Sequence, residues 1–156
     1  MPVEIRREDL SDPVARELIA ALNAEIRRRY PNPLDWHFDL TTEDVDPGRG
    51  AFVVATAGNA DVACGAVRLI GEGIAELKRM FVIPAFRKRG IGSAVLAFLE
   101  SEARAIGAAR IVLETGIRSP EGLALYRRAG YEEIEKYGPY VYSEVSVCMG
   151  KDLAAE

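Results

Sequence analysis

The sequence is poor in the residues that build metal centres and disulfide frameworks. Its 156 residues include two cysteines and a single histidine, His37, and no Cys-x-x-Cys pair. We therefore expect no metal site, because metal centres need several such ligands at fixed spacing. Cys64 and Cys148 each lie in an apolar, strand-like run. Both are predicted to be buried free thiols of a cytoplasmic protein.

Long apolar runs and an excess of positive charge are missing as well. No stretch of about 18 apolar residues occurs, so we expect no membrane span, and residues 1–8 carry no apolar signal-peptide core. The net charge of −4 and the pI near 5.2 argue against nucleic acid as a partner. The length favours one domain with a single core, covering residues 1–156.

Periodicity, turn residues and helix caps predict an α+β fold. Asp12 before Pro13 marks the start of a helix, and Ser119 before Pro120 marks another. Turns at Gly58-Asn59 and around Glu72 join three strands into an antiparallel meander. A crossover helix beginning near residue 91 makes the strand at 74–83 parallel to the one at 111–113. Further strands are predicted at 3–6, 131–135 and 141–149, which gives a mixed, mainly antiparallel sheet with helices on both faces.

Residues 87–92, with the sequence Arg-Lys-Arg-Gly-Ile-Gly, are the most informative stretch. They stand where a loop after a strand turns into a helix. The first turn of a helix has backbone N–H groups without partners and a partly positive dipole end. Glycines let a bulky anion approach the backbone closely. The segment therefore predicts a site for a phosphate or pyrophosphate.

Other readings of these glycines fit less well. A P-loop needs Gly-Lys followed by Ser or Thr, whereas Gly92 is followed by Ser93 and Ala94. A dinucleotide fold needs a third glycine where Val95 stands, and too little chain remains for its second half, although Glu114 partly matches its ribose-binding acid. A basic helix start without a ligand is the remaining alternative.

The order of four segments around these glycines resembles the GNAT superfamily of acetyl-CoA-dependent N-acetyltransferases. The likeness covers residues 51–153 in motifs and residues 1–50 in layout only. The segments are residues 76–82 (ELKRMFV), 87–92 (RKRGIG), 113–116 (LETG) and 124–131 (ALYRRAGY). The resemblance implies a splayed pair of parallel strands that accommodates acetyl-CoA as co-substrate, and it allows a homodimer.

The resemblance also implies which residues bind the cofactor. The backbone of the splayed strand would pair with the pantetheine arm, with the Val82 N–H as donor to the thioester oxygen. Residues 87–93 would wrap the pyrophosphate. Ser119 stands where the family often has an asparagine on the arm, and helix capping would also explain it. The implied cofactor-binding residues are Met80, Phe81, Val82, Arg87, Lys88, Arg89, Gly90, Ile91, Gly92, Ser93 and Ser119.

Glu76 and Tyr126 are the catalytic residues that the resemblance implies. Glu76 would accept a proton from the acceptor ammonium, and Tyr126 would protonate the departing thiolate. Strand alternation predicts Glu76 on the wetter face of its strand, opposite Leu77 and Phe81. A surface glutamate paired with a nearby cation and a tyrosine that only packs on its helix are the structural alternatives. Glu114 is a rival base.

The acceptor is expected to be the primary amine of a small metabolite that attacks directly in a ternary complex. The first helix and the following loop usually line the acceptor pocket in this family, and arginines there hint that the acceptor carries an acid group. Rival functions are a CoA-binding module without catalysis and a protein- or peptide-directed acetyltransferase. The residues expected around the acceptor are Arg27, Arg28, Arg29, Tyr30, Trp36, His37, Phe38, Arg68 and Arg79.

Overall fold

A computed structural model describes residues 2–153 of the chain. They form a sheet with helices on its two faces. The strands are β1 (Val3–Arg7), β2 (Gly50–Ala57), β3 (Ala60–Gly71), β4 (Ile74–Val82), β5 (Arg110–Gly116), β6 (Glu132–Ile134) and β7 (Ser146–Asp152). The helices are α1 (Pro13–Arg29), α2 (Ile91–Ala105) and α3 (Pro120–Arg128). None of the helices in this part of the chain is long and apolar enough to cross a membrane.

The sheet has the strand order β1-β2-β3-β4-β5-β7-β6. β4 and β5 are paired in parallel, and the other neighbouring strands are antiparallel. The α+β fold predicted from the sequence is confirmed, including the meander and the parallel pair on either side of the crossover helix. The prediction for the last strand began too early, because a 3-10 turn at Gly138–Tyr140 and a further turn precede β7.

β4 and β5 separate halfway along their length. Their ladder runs from Ile74 opposite Arg110 to Leu77 opposite Leu113 and then stops, although both strands continue. The cause lies in β4, whose register against β3 shifts between Cys64 and Ala66. At this bulge Arg79 has a φ of 59°, a left-handed conformation that an ordinary strand does not contain.

The bulge changes which side chains share a face. Leu77 packs in the core under α2, whereas Phe81 packs in the core under α1. The predicted common face for these two residues is therefore wrong, because the extra residue in the strand reverses the alternation beyond it. Gly65 lies opposite the bulge, where an added Cβ would be 2.6 Å from the sulfur of Met80.

Two hydrophobic clusters hold the helices on the sheet. Val95, Leu96 and Leu99 of α2 pack on one face, and Leu18 and Leu22 of α1 pack on the other. Each fully buried aliphatic side chain contributes about 1.5–3 kcal/mol. The two helices therefore fix the sheet from both sides and leave the separated ends of β4 and β5 as the opening between them.

Candidate active site

The separation of β4 and β5 opens a cleft of about 610 Å³. The start of α2, the start of α3, the last turns of α1 and the loops around His37 and Tyr140 also border it. Of the residues predicted around the acceptor, four line the cleft (Arg29, Tyr30, His37 and Arg79) and five do not (Arg27, Arg28, Trp36, Phe38 and Arg68). Two of the predicted catalytic and cofactor-binding residues, Glu76 and Arg89, do not line it. Those that do are Met80, Phe81, Val82, Arg87, Lys88, Gly90, Ile91, Gly92, Ser93, Ser119 and Tyr126.

The start of α2 presents free backbone donors to the cleft. Gly90 is the N-cap residue, has a φ of 80° and provides no capping side chain. The first N–H of this turn with an intrachain acceptor is that of Ala94, which donates to the Gly90 carbonyl. At Gly92 an added Cβ would already be 3.4 Å from a methyl carbon of Leu125. The geometry fits a bound phosphate, because donors stand free at a positive helix end without a side chain in front of them.

The cations of the preceding loop do not act alike. Arg87 donates from Nη2 to Glu25 at 2.7 Å and from Nε to the Val82 carbonyl at 2.8 Å. Its charge is therefore matched and it braces the end of β4. The Arg89 guanidinium lies 4.9 Å from the centre of the Phe86 ring, and Arg89 itself does not line the cleft. Lys88 is exposed and borders the cleft, so it is the cation best placed to meet a phosphate.

The backbone of Val82 faces the opening between the strands. Ile83, one residue later, donates its N–H to the Val62 carbonyl of β3 at 2.9 Å. Because successive residues of a strand direct their N–H groups to opposite edges, the Val82 N–H is directed away from β3, towards β5. Beyond Leu77 the β5 ladder has ended, so this donor faces the opening between the two strands.

Glu76 is held in a closed network beside the cleft. Its Oε1 accepts from Arg68 Nη2 at 2.9 Å, and its Oε2 accepts from the Tyr137 hydroxyl at 2.6 Å. Arg68 also donates to Asp44 at 2.9 Å and to Asp39 at 3.0 Å. The predicted wet position of Glu76 is wrong, since only 3% of the residue is exposed. Both of its oxygens serve to hold three parts of the chain together.

Glu114 lines the cleft at the point where β4 and β5 separate. It follows the last pair of the β4–β5 ladder. Its Oε2 accepts from the Ser146 hydroxyl at 2.6 Å, and no donor within the described residues binds Oε1. Burial raises the pKa of Glu114 and outweighs the hydrogen bond from Ser146 and the charge of Lys78, both of which lower it. The side chain is half-buried and therefore combines a free oxygen with an increased proton affinity.

Tyr126 lies at the base of the same cleft. Only 7% of the residue is exposed, and its ring packs against Tyr131 at 5.9 Å between centres. Burial and then the charge of Glu114 raise its pKa, so the hydroxyl keeps its proton at neutral pH. No hydrogen-bond acceptor for it occurs among residues 2–153, and Tyr126 lines the cleft. It is an unused donor in a position to meet a ligand.

Ser119 does not cap α3 through its side chain, contrary to the prediction. Its hydroxyl is instead 3.2 Å from the Tyr30 hydroxyl, which accepts from the Arg118 N–H at 2.9 Å. Tyr30 fits against Gly116, where an added Cβ would be 1.8 Å from the Tyr30 oxygen. This contact ties the end of α1 to the end of β5 and sets the width of the cleft.

The aromatic loop after α1 divides into two parts. The rings of Trp36 and Phe38 stack with their centres 5.7 Å apart, and the Arg27 guanidinium lies over both rings. None of these three residues lines the cleft. His37 and Tyr140 meet edge to face at 4.7 Å, and both line the cleft. No role was predicted from the sequence for Tyr137, Tyr140 or Ser146. The run of tyrosines at 137, 140 and 142 was the available signal.

Comparisons with known proteins agree with this geometry. The profile of the family described as "Acetyltransferase (GNAT) domain" matches residues 48–133. An IAA acetyltransferase from Azospirillum brasilense is 36% identical over 97% of this chain and 98% of its own length. An acyl-CoA N-acyltransferase structure from Klebsiella pneumoniae has a TM-score of 0.84 with 31% identity, covering 97% of this chain and 98% of that one. A PaiA N-acetyltransferase from Thermoplasma acidophilum, solved with coenzyme A, shares the fold with a TM-score of 0.69, 18% identity and coverage of 97% and 99%.

The fold, the cleft and these similarities define an acetyltransferase of the GNAT type. The chain belongs to the GNAT family, and it is an N-acetyltransferase.

Proposed function

We propose that the protein transfers an acetyl group from acetyl-CoA to the primary amine of a small metabolite, by direct attack in a ternary complex. The observation that carries the proposal is the combination of residues in one cleft. Free backbone donors at the start of α2, the inward N–H of Val82, a half-buried carboxylate and an unused phenol all border it.

The residues present fit acetyl-CoA, which supplies the activated acetyl group when bound. The backbone of residues 90–93 binds phosphate oxygens through its free N–H groups, and Lys88 adds a charge beside them. Val82 offers its N–H to the carbonyl oxygen on which negative charge develops. The complex of the Thermoplasma relative with coenzyme A supports the same cofactor class.

Glu114 is the base in this proposal, in place of Glu76. A carboxylate that removes a proton from an ammonium needs a free oxygen on the cleft and a pKa closer to neutrality than usual. Glu114 has both, since Ser146 occupies only Oε2. Both oxygens of Glu76 are occupied by Arg68 and Tyr137, outside the cleft lining. Glu76 is therefore a structural residue that supports the acceptor side.

Tyr126 supplies the second proton. Its raised pKa keeps the hydroxyl protonated, and the charge of Glu114 contributes to that shift. A phenol that keeps its proton at neutral pH can donate a hydrogen bond to the departing thiolate and can pass its proton on as the negative charge on sulfur develops. Glu114 and Tyr126 thus provide one proton acceptor and one proton donor in the same cleft.

The acceptor class rests on the relatives and on the size of the cleft. The Azospirillum relative is named for IAA, a small molecule, and the two chains match over nearly their whole lengths. A cleft of about 610 Å³ lies within the range of small-ligand sites. We therefore propose a cytoplasmic enzyme that acetylates a small metabolite.

The test is acetyl-CoA-dependent release of free CoA thiol with a panel of small amines and a panel of peptides. We expect at least one small amine to react faster than every peptide, with acetylated product found by mass spectrometry. Faster reaction of peptides would instead show a protein-directed enzyme. Binding of acetyl-CoA without transfer to any acceptor would show a binding module.

A further inference from the structure

Arg79 is a buried cation on the cleft without a carboxylate partner. Only 7% of the residue is exposed, and it lines the cleft. Its Nη2 donates to the amide oxygen of Asn23, and its guanidinium carbon lies 5.2 Å from the centre of the Phe38 ring. Among the described residues these are its side-chain partners, and both are uncharged. Four of its five N–H donors remain for another acceptor.

The neighbouring cations differ from Arg79 in this respect. Arg68 is neutralised by Asp39, Asp44 and Glu76, and Lys78 donates to Asp39 at 2.8 Å. A buried guanidinium without such a partner is costly to desolvate. Burial accordingly lowers the pKa of Arg79. The protein therefore keeps a positive charge in the wall of its cleft to which no carboxylate of residues 2–153 is directly hydrogen-bonded. Asp39, which pairs with Arg68 and Lys78, acts on this charge only at longer range.

The backbone shows that the position of Arg79 is imposed by the fold. Arg79 is the residue of the β4 bulge, with a φ of 59°, which costs energy for any residue but glycine. The same bulge ends the β4–β5 ladder and so opens the cleft. The strained backbone at Arg79 thus positions its guanidinium, which has no carboxylate partner, at the cleft.

His37, which borders the same cleft, has a second polar group without a hydrogen-bond partner. Its Nε2 is fully buried and has no hydrogen-bond partner, the one such side-chain atom among the described residues. Burial and then the charge of Lys78 lower the pKa of His37, so the ring is neutral at pH 7. His37 lines the same cleft as Arg79, and its loop neighbour Phe38 is the ring under the Arg79 guanidinium.

We propose that Arg79 binds an acidic group of the acceptor, with His37 as a second polar contact. This inference rests on the proposed function and narrows its acceptor to a small amine that also carries a carboxylate or another compact oxyanion. A planar guanidinium with parallel N–H groups suits such an anion, because it can donate two hydrogen bonds at once. The anion neutralises Arg79 and holds the amine against Glu114.

Paired substrates test the proposal. Glycine, β-alanine, γ-aminobutyrate, phenylalanine and tryptophan are each compared with the corresponding carboxamide, which keeps the amine and removes the charge. We expect wild-type kcat/KM to be about 10- to 100-fold higher for the best acid than for its amide, as for hydrogen bonds to charged groups. Equal rates within every pair would overturn the proposal.

Variants of Arg79 then locate the effect. R79Q should remove the preference for the acid with little change in the affinity for acetyl-CoA, and R79K should keep part of it. R27Q is the matched control, since Arg27 also lies over Phe38 but outside the cleft lining, and it should keep the full preference. A preference that survives in R79Q, or a loss of acetyl-CoA binding in that variant, contradicts the assignment.

Two further arms separate this inference from the proposed function and from misfolding. Calorimetric binding of the acids without acetyl-CoA needs no turnover, so Arg79-dependent binding without transfer would support the anion site and refute only the acetylation of amines. If R79Q does not fold, the test uses the wild-type enzyme. Inhibition by phenylpropionate but not by phenylpropanamide would support the anion site. Equal inhibition by the two compounds would refute the anion site.

Discussion

Substitution of Glu114 by glutamine is the sharpest perturbation of the proposed chemistry. The side chain keeps its shape, and its amide oxygen can still accept from the Ser146 hydroxyl, now 2.6 Å from Oε2. The variant loses the carboxylate that accepts a proton. Positioned general bases contribute about 10²–10⁴-fold, so we expect kcat to fall by that factor, equivalent to about 2.7–5.4 kcal/mol in the barrier. The affinity for acetyl-CoA should stay unchanged, because Glu114 does not lie in the segment that starts α2.

The stability of this variant should move in the opposite direction. Burial raises the pKa of Glu114 in the folded protein, so folding favours the protonated form. The stability associated with this group is greatest below the pKa of the unfolded chain and falls as the pH rises through the folded pKa. Because glutamine stays neutral, E114Q should be as stable as the wild type or more stable at pH 7. Its thermal midpoint should also vary less between pH 4 and pH 8.

The assay is the pH profile of kcat/KM, measured by release of CoA thiol, together with thermal unfolding. The wild type should show an acidic limb with an apparent pKa above the ordinary value of a glutamate, and E114Q should lack it. E76Q is the matched control, since it makes the same change from glutamate to glutamine on the neighbouring strand. It should keep the acidic limb but lose about 1.5–3 kcal/mol of stability, because Glu76 bonds Arg68 and Tyr137. Full activity in E114Q together with a lost acidic limb in E76Q would refute the reasoning.

Three further substitutions probe the rest of the cleft. Y126F should lower kcat by about 10²–10⁴-fold with acetyl-CoA affinity unchanged in calorimetry, and an unchanged kcat would show that Tyr126 only packs. G92E should abolish calorimetric acetyl-CoA binding through bulk and like charge at the phosphate site, whereas normal affinity would exclude that site. G116A should destabilise the fold by about 1–3 kcal/mol or more in denaturant unfolding, because its Cβ would be 1.8 Å from the Tyr30 oxygen. An unchanged midpoint for G116A would contradict the packing described there.

The elements and their order were predictable because their signals are local. Asp12 accepts from the Val14 N–H at 2.9 Å and so caps α1 as its sequence position indicates. The parallel pairing of β4 and β5 followed from the helix between them, because parallel neighbours need a long crossover connection, which is usually a helix. The glycines at 90 and 92 marked the start of α2 for the same local reason.

The choice between the two carboxylates was not predictable, because it depends on distant parts of the chain. Glu76 is closed off by Tyr137, which lies 61 residues away in sequence. Glu114 owes its pKa shift chiefly to burial, which no short motif encodes. The bulge at Arg79 likewise depends on the fit of Met80 over Gly65. The prediction that side chains alternate strictly along β4 was therefore wrong at the place where the cleft opens.

The most direct test of the central claim is a calorimetric titration of the purified protein with acetyl-CoA. The cleft between β4 and β5, with free donors at the start of α2, predicts saturable binding to a single site at about micromolar affinity or better. It also predicts weaker binding of dephospho-acetyl-CoA. That compound lacks the 3′-phosphate of acetyl-CoA, which the exposed Lys88 at the border of the cleft is expected to contact. Absence of heat together with absence of thermal stabilisation by acetyl-CoA would contradict the account.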